Sequence, residues 1–369
     1  MNQEIMSIKA EISKLAIVFH PGKTLSEKLS EMGMSIKEFA VRTSKPEKTI
    51  IAVIGGKSSI TTEMAVSFEN VTQIPASFWL RKQQSYDEYV ERKNREAAAA
   101  ASADWMRKFP VAEMIKRGWI QSATSIEEKV YSLFSFFAIS TEKAWNDYYI
   151  NQELKVAFRI SLVHAKDPHA MSAWLRRGEI QASNLNLDVP YNDRLLKSML
   201  PRMKQLMVDD TTDFYSVLQQ LCADCGIKLV STECLPKAPI SGATRWIKDV
   251  PIIQLSNRYK RYDIFWFNFF HEIGHILLHG KKDIFLEKAG CFDQDILKEQ
   301  EADKFASNLM LSQSEEQSII DSRDYSVENI KRTAIKYGTH PAVIVGRLQH
   351  RGVIDYWQDQ SLLKSVNIN

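Results

Sequence analysis

Between Lys23 and Glu69 apolar residues recur at helical spacing in short runs, "TLSEKLSEMG", "SIKEFAVRT", "KPEKTIIAVIGG" and "TTEMAVSFENV", separated by turn residues. Five short helices are predicted in this part of the chain. Ser35 followed by Glu38 forms a capping-box pattern ahead of Phe39 and Ala40, Pro46 suits a first helical position, and Gly55-Gly56 suits a helix stop. The second and third runs, joined by the tight "RTSK" turn, have the outline of a helix-turn-helix. After "IPASFWLRKQQSYDEYVERKN" comes "REAAAAASADW", whose alanines favour a continuing or connecting helix over a flexible linker. Residues 105 to 228 read as mostly helical, with scattered tryptophans and breaks at Asp167-Pro168 and Val189-Pro190. From Ile227 the pattern turns to short β-like runs, "IKLVSTE", "GATRWIK" and "VPIIQLS", and beyond Ser312 it returns to helices.

Composition narrows this picture only a little. With 369 residues, 44% hydrophobic and 25% charged, the chain matches a soluble globular protein of two or three domains. The first twenty residues have no secretory signal pattern, and the longest apolar stretches fall short of a membrane span, so a cytoplasmic protein with no membrane partner is expected. Four cysteines fit a reducing compartment, and the pair in "CADC" sits inside an apolar helical pattern as small core residues. A net charge of +3 says almost nothing about nucleic acid by itself.

Candidate chemistry concentrates in "FHEIGHILLHG". Residues four apart on an α-helix differ by about 40° and about 6 Å, so His271 and His275 can aim at one tetrahedral ion. Glu272 flanks the same face and can take the proton of a water that the metal acidifies. A third ligand is needed. His279 would stand another turn beyond His275, so it reads as a last-turn histidine favoured by the helix dipole, and its loss is expected to leave metal occupancy unchanged. In the next helical pattern, "KEQEADKFASNLML", Glu299 can complete a His-His-Glu set, and Asp303 can accept a hydrogen bond from a ligand histidine and fix its tautomer. Glu301, two residues from each, reads as a solvated charge on another face. This layout is that of gluzincins, with zinc as the metal.

The stretch from "GATRWIKDVPIIQLS" through "HEIGHILLHG" to "KEQEADKFASNLML" resembles the ImmA/IrrE family of metallopeptidases over roughly residues 225 to 312. That resemblance implies a small helical zinc-endopeptidase fold and a repressor-like regulatory protein as substrate. The strands "GATRWIK" and "PIIQLS" are candidates for pairing with an extended substrate.

The N-terminal run, "LSEKLSEMGMSIKEFAVRTSKPEKTIIAVIGGKSS" through "FWLRKQQSYDEY", resembles the Xre-type helix-turn-helix of HigA-like antitoxins. That implies operator DNA as a partner, a homodimer, and a cognate toxin. A recognition helix starting near Pro46 would turn Lys45, Glu47, Lys48 and Thr49 toward a major groove, with Lys57 and Ser58 near phosphates. Glu47 departs from the pattern as an acid among these positions, where it would either repel phosphate or accept from a cytosine amine.

The expected fold is therefore mainly α: a five-helix helix-turn-helix domain over residues 1–95, a helical connecting region over 96–225, and an α+β gluzincin-like peptidase domain over 226–369 with a small antiparallel β-element. The expected function is a DNA-binding transcriptional regulator fused to a zinc endopeptidase. The alternative is a non-enzymatic repressor or antitoxin whose zinc site is structural or vestigial, and an intact Glu272 favours the enzyme.

Overall fold

The computed structural model of the chain describes residues 18–153, 167–279 apart from Pro239, Asn257 and Tyr259, and 292–366. The first seventeen residues, Gly280 and Cys291 lie outside the described residues. The chain divides into two units, residues 1–101 and 102–369.

Unit one contains α1 (Pro21–Glu31), α2 (Ile36–Arg42), α3 (Glu47–Ile54), α4 (Thr62–Thr72) and α5 (Ala76–Ala101). Side-chain caps set their starts: Ser35 accepts from the Glu38 backbone N–H and Thr61 from that of Met64. Pro46 stands just before α3, one position ahead of the first-turn place its sequence suggested. Leu25, Phe39, Ile50, Val53, Phe68 and Trp79 fill the interior, with the Phe68 ring 5.0 Å from Phe39 and 6.1 Å from Trp79. Gln83, on α5, is buried here too, its side-chain oxygen accepting from the Ile60 N–H at 2.9 Å. The alanine run continues α5, as its helix propensity dictates.

Unit two begins with α6 (Ala103–Arg107), α7 (Val111–Lys116), α8 (Ile126–Phe137) and α9 (Glu142–Trp145), the last widening into a π-helical stretch. Then come α10 (Pro168–Ser183), α11 (Asp193–Asp209) and α12 (Phe214–Asp224). Three strands follow, β1 (Lys228–Thr232), β2 (Gly242–Ile247) and β3 (Val250–Ser256). The site is carried by α13 (Tyr262–Gly274), with a π turn over His275–His279, and by α14 (Phe292–Met310). The chain closes with α15 (Gln313–Ser322), α16 (Val327–Tyr337), α17 (Pro341–His350) and a short 3-10 turn. No helix among the described residues is long and apolar enough to cross a membrane.

Two expectations are corrected. The sheet has order β1-β3-β2, with β2 antiparallel to β3 but β1 parallel to it, so the β-element is mixed rather than purely antiparallel. A tight turn between β2 and β3 permits a hairpin, whereas β1 enters from α12 and runs alongside β3 in the same direction. The segment assigned as a connecting region also belongs to the same packed body as the strands. Gln254 of β3 donates to the Trp174 carbonyl at 2.8 Å, and Gln181 of α10 donates to the Ser231 carbonyl of β1 at 2.7 Å. Helix α10 covers β1, an edge strand of the sheet.

Cys222 and Cys225 are buried in the main core of this unit. Burial pushes both thiols above their ordinary range, which suits packing residues and disfavours thiolate ligands.

Candidate metal centre

Helix α13 is held by its apolar face. Phe265, Trp266, Phe269, Phe270 and Ile273 are buried, fixing the rotation that turns His271 and His275 toward α14. Gly274, inside the HEIGH segment, lets the two helices come together: a Cβ there would lie 3.2 Å from the Ala302 Cα and from Phe305. This close approach brings Glu299 within reach of both histidines.

The Nε2 atoms of His271 and His275 are 3.0 Å apart. The Glu299 oxygens stand 3.2 Å from His271 Nε2 and 3.3 Å from His275 Nε2. Bonds of about 2.0–2.1 Å to a tetrahedral zinc would separate ligand atoms by about 3.3 Å, so the triangle has the right size. Glu299 Oε1 is buried with no hydrogen bond of good geometry, His275 Nε2 standing 3.3 Å away, so a cation would satisfy it. Among the described residues, His271, His275 and Glu299 form the grouping able to hold a metal. The residues present fit zinc.

Electrostatics agree with a strongly coupled set. Burial raises the Glu299 carboxyl, but the two imidazoles outweigh it and bring the pKa to about 2. For His271, burial acts downward, while Asp303, Glu299 and the Glu272 charge raise its pKa to about 10. A proton and a metal ion thus compete for the space between these groups.

Asp303 Oδ1 lies 2.8 Å from His271 Nδ1, on the side of the ring away from the triangle. Glu272 is buried beside the triad, and burial raises its pKa while the neighbouring histidines and Thr244 oppose the rise. The Thr244 hydroxyl donates to the Glu272 carbonyl at 3.2 Å, and a Cβ on Gly242 would lie 2.6 Å from Glu272 Oε1. The start of β2 thus presses against the carboxylate, a contact with no signal in the motif.

His279 differs from expectation. The helix widens over His275–His279, so the ring does not stand clear by a full turn but folds back against His275, its Nδ1 3.0 Å from His275 Nδ1. Its Nε2 is 3.0 Å from Glu301 Oε2. Glu301 is therefore engaged with the centre, though 62% exposed, and not merely solvated. Histidines at i and i+4 followed by a Glu-x-Glu were the available signal.

In unit one, Glu47, Lys48 and Lys57 are exposed, and Thr49 and Ser58 are half-buried. Lys45 is largely covered and paired with Glu63 of α4, so it is less free to face DNA than its sequence position suggested.

Residues 222–349 match the family described as the IrrE N-terminal-like domain, Peptidase_M78. The matched segment spans every residue of the metal centre. Two solved structures are similar to part of the chain. One, from Nostoc punctiforme, is described as an antidote protein of a plasmid maintenance system; it is 26% identical, with TM-score 0.20, over 21% of this chain and 84% of its own. The other is an addiction module antidote protein of a HigA family from Coxiella burnetii, 23% identical, with TM-score 0.20, over 29% of this chain and 98% of its own. No curated protein matches the chain.

Proposed function

We propose that the chain is a DNA-binding regulator joined to a zinc-dependent endopeptidase, with His271, His275 and Glu299 holding the ion and Glu272 acting as general base. The observation that carries this reading is the three-atom donor triangle with a buried glutamate next to it. A structural zinc site needs its ligands and no adjacent base.

When bound, zinc would polarise a peptide carbonyl and raise the acidity of a water. Glu272, kept partly desolvated against β2, is suited to take that proton and pass it to the leaving amine. Asp303 fixes the ring of His271 from behind.

Substrate pairing falls to β2. Strand β3 is bonded on both sides, which removes "PIIQLS" as an edge, whereas β2 pairs only with β3 among the described residues. An extended peptide laid along β2 would run past Gly242 and reach Glu272. The substrate proposed is a repressor-like regulator. The proposed DNA module is α2 and α3, with Lys48 and Lys57 reaching operator phosphates or bases, acting as a homodimer in the cytoplasm and able to engage a cognate toxin.

The test is zinc stoichiometry of the purified chain. The wild type should hold about one zinc, and His271→Ala, His275→Ala and Glu299→Ala should each lower occupancy. A wild type that holds none, or three variants that all retain it, removes the reading.

A further inference from the structure

A ligand imidazole that binds through Nε2 must carry its proton on Nδ1, and whatever accepts that proton fixes the ring's tautomer and tilt. For His271 the acceptor is Asp303. For His275 no carboxylate among the described residues stands there: the atom 3.0 Å from its Nδ1 is the Nδ1 of His279. Two imidazole nitrogens at that distance make a hydrogen bond only if one is protonated and the other bare.

The chain of partners settles which. With His275 donating from Nδ1, His279 accepts at Nδ1, so its own proton is on Nε2. That nitrogen faces Glu301 Oε2 at 3.0 Å, a carboxylate ready to accept. Every donor then meets an acceptor, and the buried His279 ring is satisfied at both nitrogens.

We propose that His279 and Glu301 form a relay that holds His275 in its metal-binding tautomer, with His279 a positioning residue that never touches the ion. The π turn at the end of α13 is what makes it possible, by folding His279 onto His275. The two ligand histidines are thus supported unequally. His271 leans directly on a carboxylate, whereas His275 leans on a neutral ring whose far side is held by a mostly exposed glutamate. Loss of His279 leaves the His275 Nδ1–H without an acceptor in a buried place, but loss of Glu301 leaves the His279 Nε2–H facing solvent. The first loss is the more damaging.

The inference rests on the zinc reading above, and the experiment separates the two. Metal-free full-length protein is titrated with zinc against a competing chelator, for wild type, His279→Leu, His279→Asn and Glu301→Gln. Leucine keeps most of the ring's volume and supplies no acceptor, whereas the asparagine side-chain oxygen occupies nearly the place of the histidine Nδ1. The relay predicts zinc affinity about 10–100-fold weaker for His279→Leu, within several-fold of wild type for His279→Asn, and a smaller loss for Glu301→Gln than for His279→Leu. A packing role predicts the reverse order, with leucine tolerated and asparagine not. Thermal midpoints of the metal-free variants detect misfolding independently of zinc. Wild-type affinity in His279→Leu, or asparagine no better than leucine, overturns the relay while leaving the zinc centre standing. Absence of zinc binding by the wild type overturns the centre itself, and the relay with it.

Discussion

Gly242 opens β2 with no side chain, and it lies against the carboxylate assigned as general base. Replacing it with alanine would put a methyl carbon 2.6 Å from Glu272 Oε1 and 3.2 Å from its Cγ and Cδ. An ordinary contact needs about 3.4 Å, so the carboxylate must withdraw by about 0.8 Å or the strand must lift. The strand is pinned by β3, with Gly242 in register with Leu255, so the side chain is the part that gives. Misplacing a reacting group by about 1 Å costs on the order of 100-fold in rate. Gly242→Ala should therefore cleave peptide roughly 100-fold more slowly while holding zinc as the wild type does, since none of the three ligands is touched. The assay is zinc content by elemental analysis together with cleavage of an unstructured peptide mixture followed by mass spectrometry. A variant that keeps both zinc and full cleavage rate would show that β2 does not position the carboxylate. One that loses zinc would show the contact to be structural.

Lys48→Ala and Lys57→Ala should each weaken binding to duplex DNA from the chain's own operator and reduce the salt slope of log affinity by about one, whereas Lys45→Ala, already paired with Glu63, should change the slope less; equal slopes for all three would remove α3 from the interface. His169 is stacked on Trp145 at 4.6 Å and packed edge-on to Phe109 at 4.9 Å, and burial lowers its pKa below 6.5, helped by Lys108 and opposed by Asp167. Because the unfolded chain takes up the proton first, this residue's share of stability is present above pH 6.5 and is lost as pH falls from there toward the lowered folded value. The thermal midpoint of the wild type relative to His169→Phe should therefore fall between about pH 7.5 and 5.5, and a constant difference would contradict this.

Local signals carried the sequence reading furthest where the chemistry is itself local. The helical run capped by Ser35 reads clearly, because a cap needs only a side-chain oxygen and a neighbouring backbone N–H. His271, His275, Glu299 and Asp303 follow from helical spacing on two short segments, and the structure brings all four together. What was not legible depends on departures from regularity or on distant partners. The π turn that moves His279 breaks the 3.6-residue period from which its place was inferred. The approach of Gly242 to Glu272 joins positions far apart in the chain, and nothing in a glycine indicates what it faces. Likewise α10 and α12 looked like a connecting region because hydrophobic period shows that a helix buries a face, not which strand it buries against; Gln181 of α10 and Gln219 of α12 each donate to a β1 carbonyl.

Hydrolysis by Glu272→Gln bears most directly on the enzymatic claim. The amide keeps the size of the carboxyl and leaves His271, His275 and Glu299 in place, so zinc content should match the wild type, but it cannot take a proton. Zinc-loaded wild type and variant, purified identically, are incubated with the same peptide mixture. The account predicts cleavage by the wild type and a loss of at least about 100-fold in the variant at equal zinc. Equal cleavage by the two preparations, or none by either against any peptide or regulator tested, would contradict it.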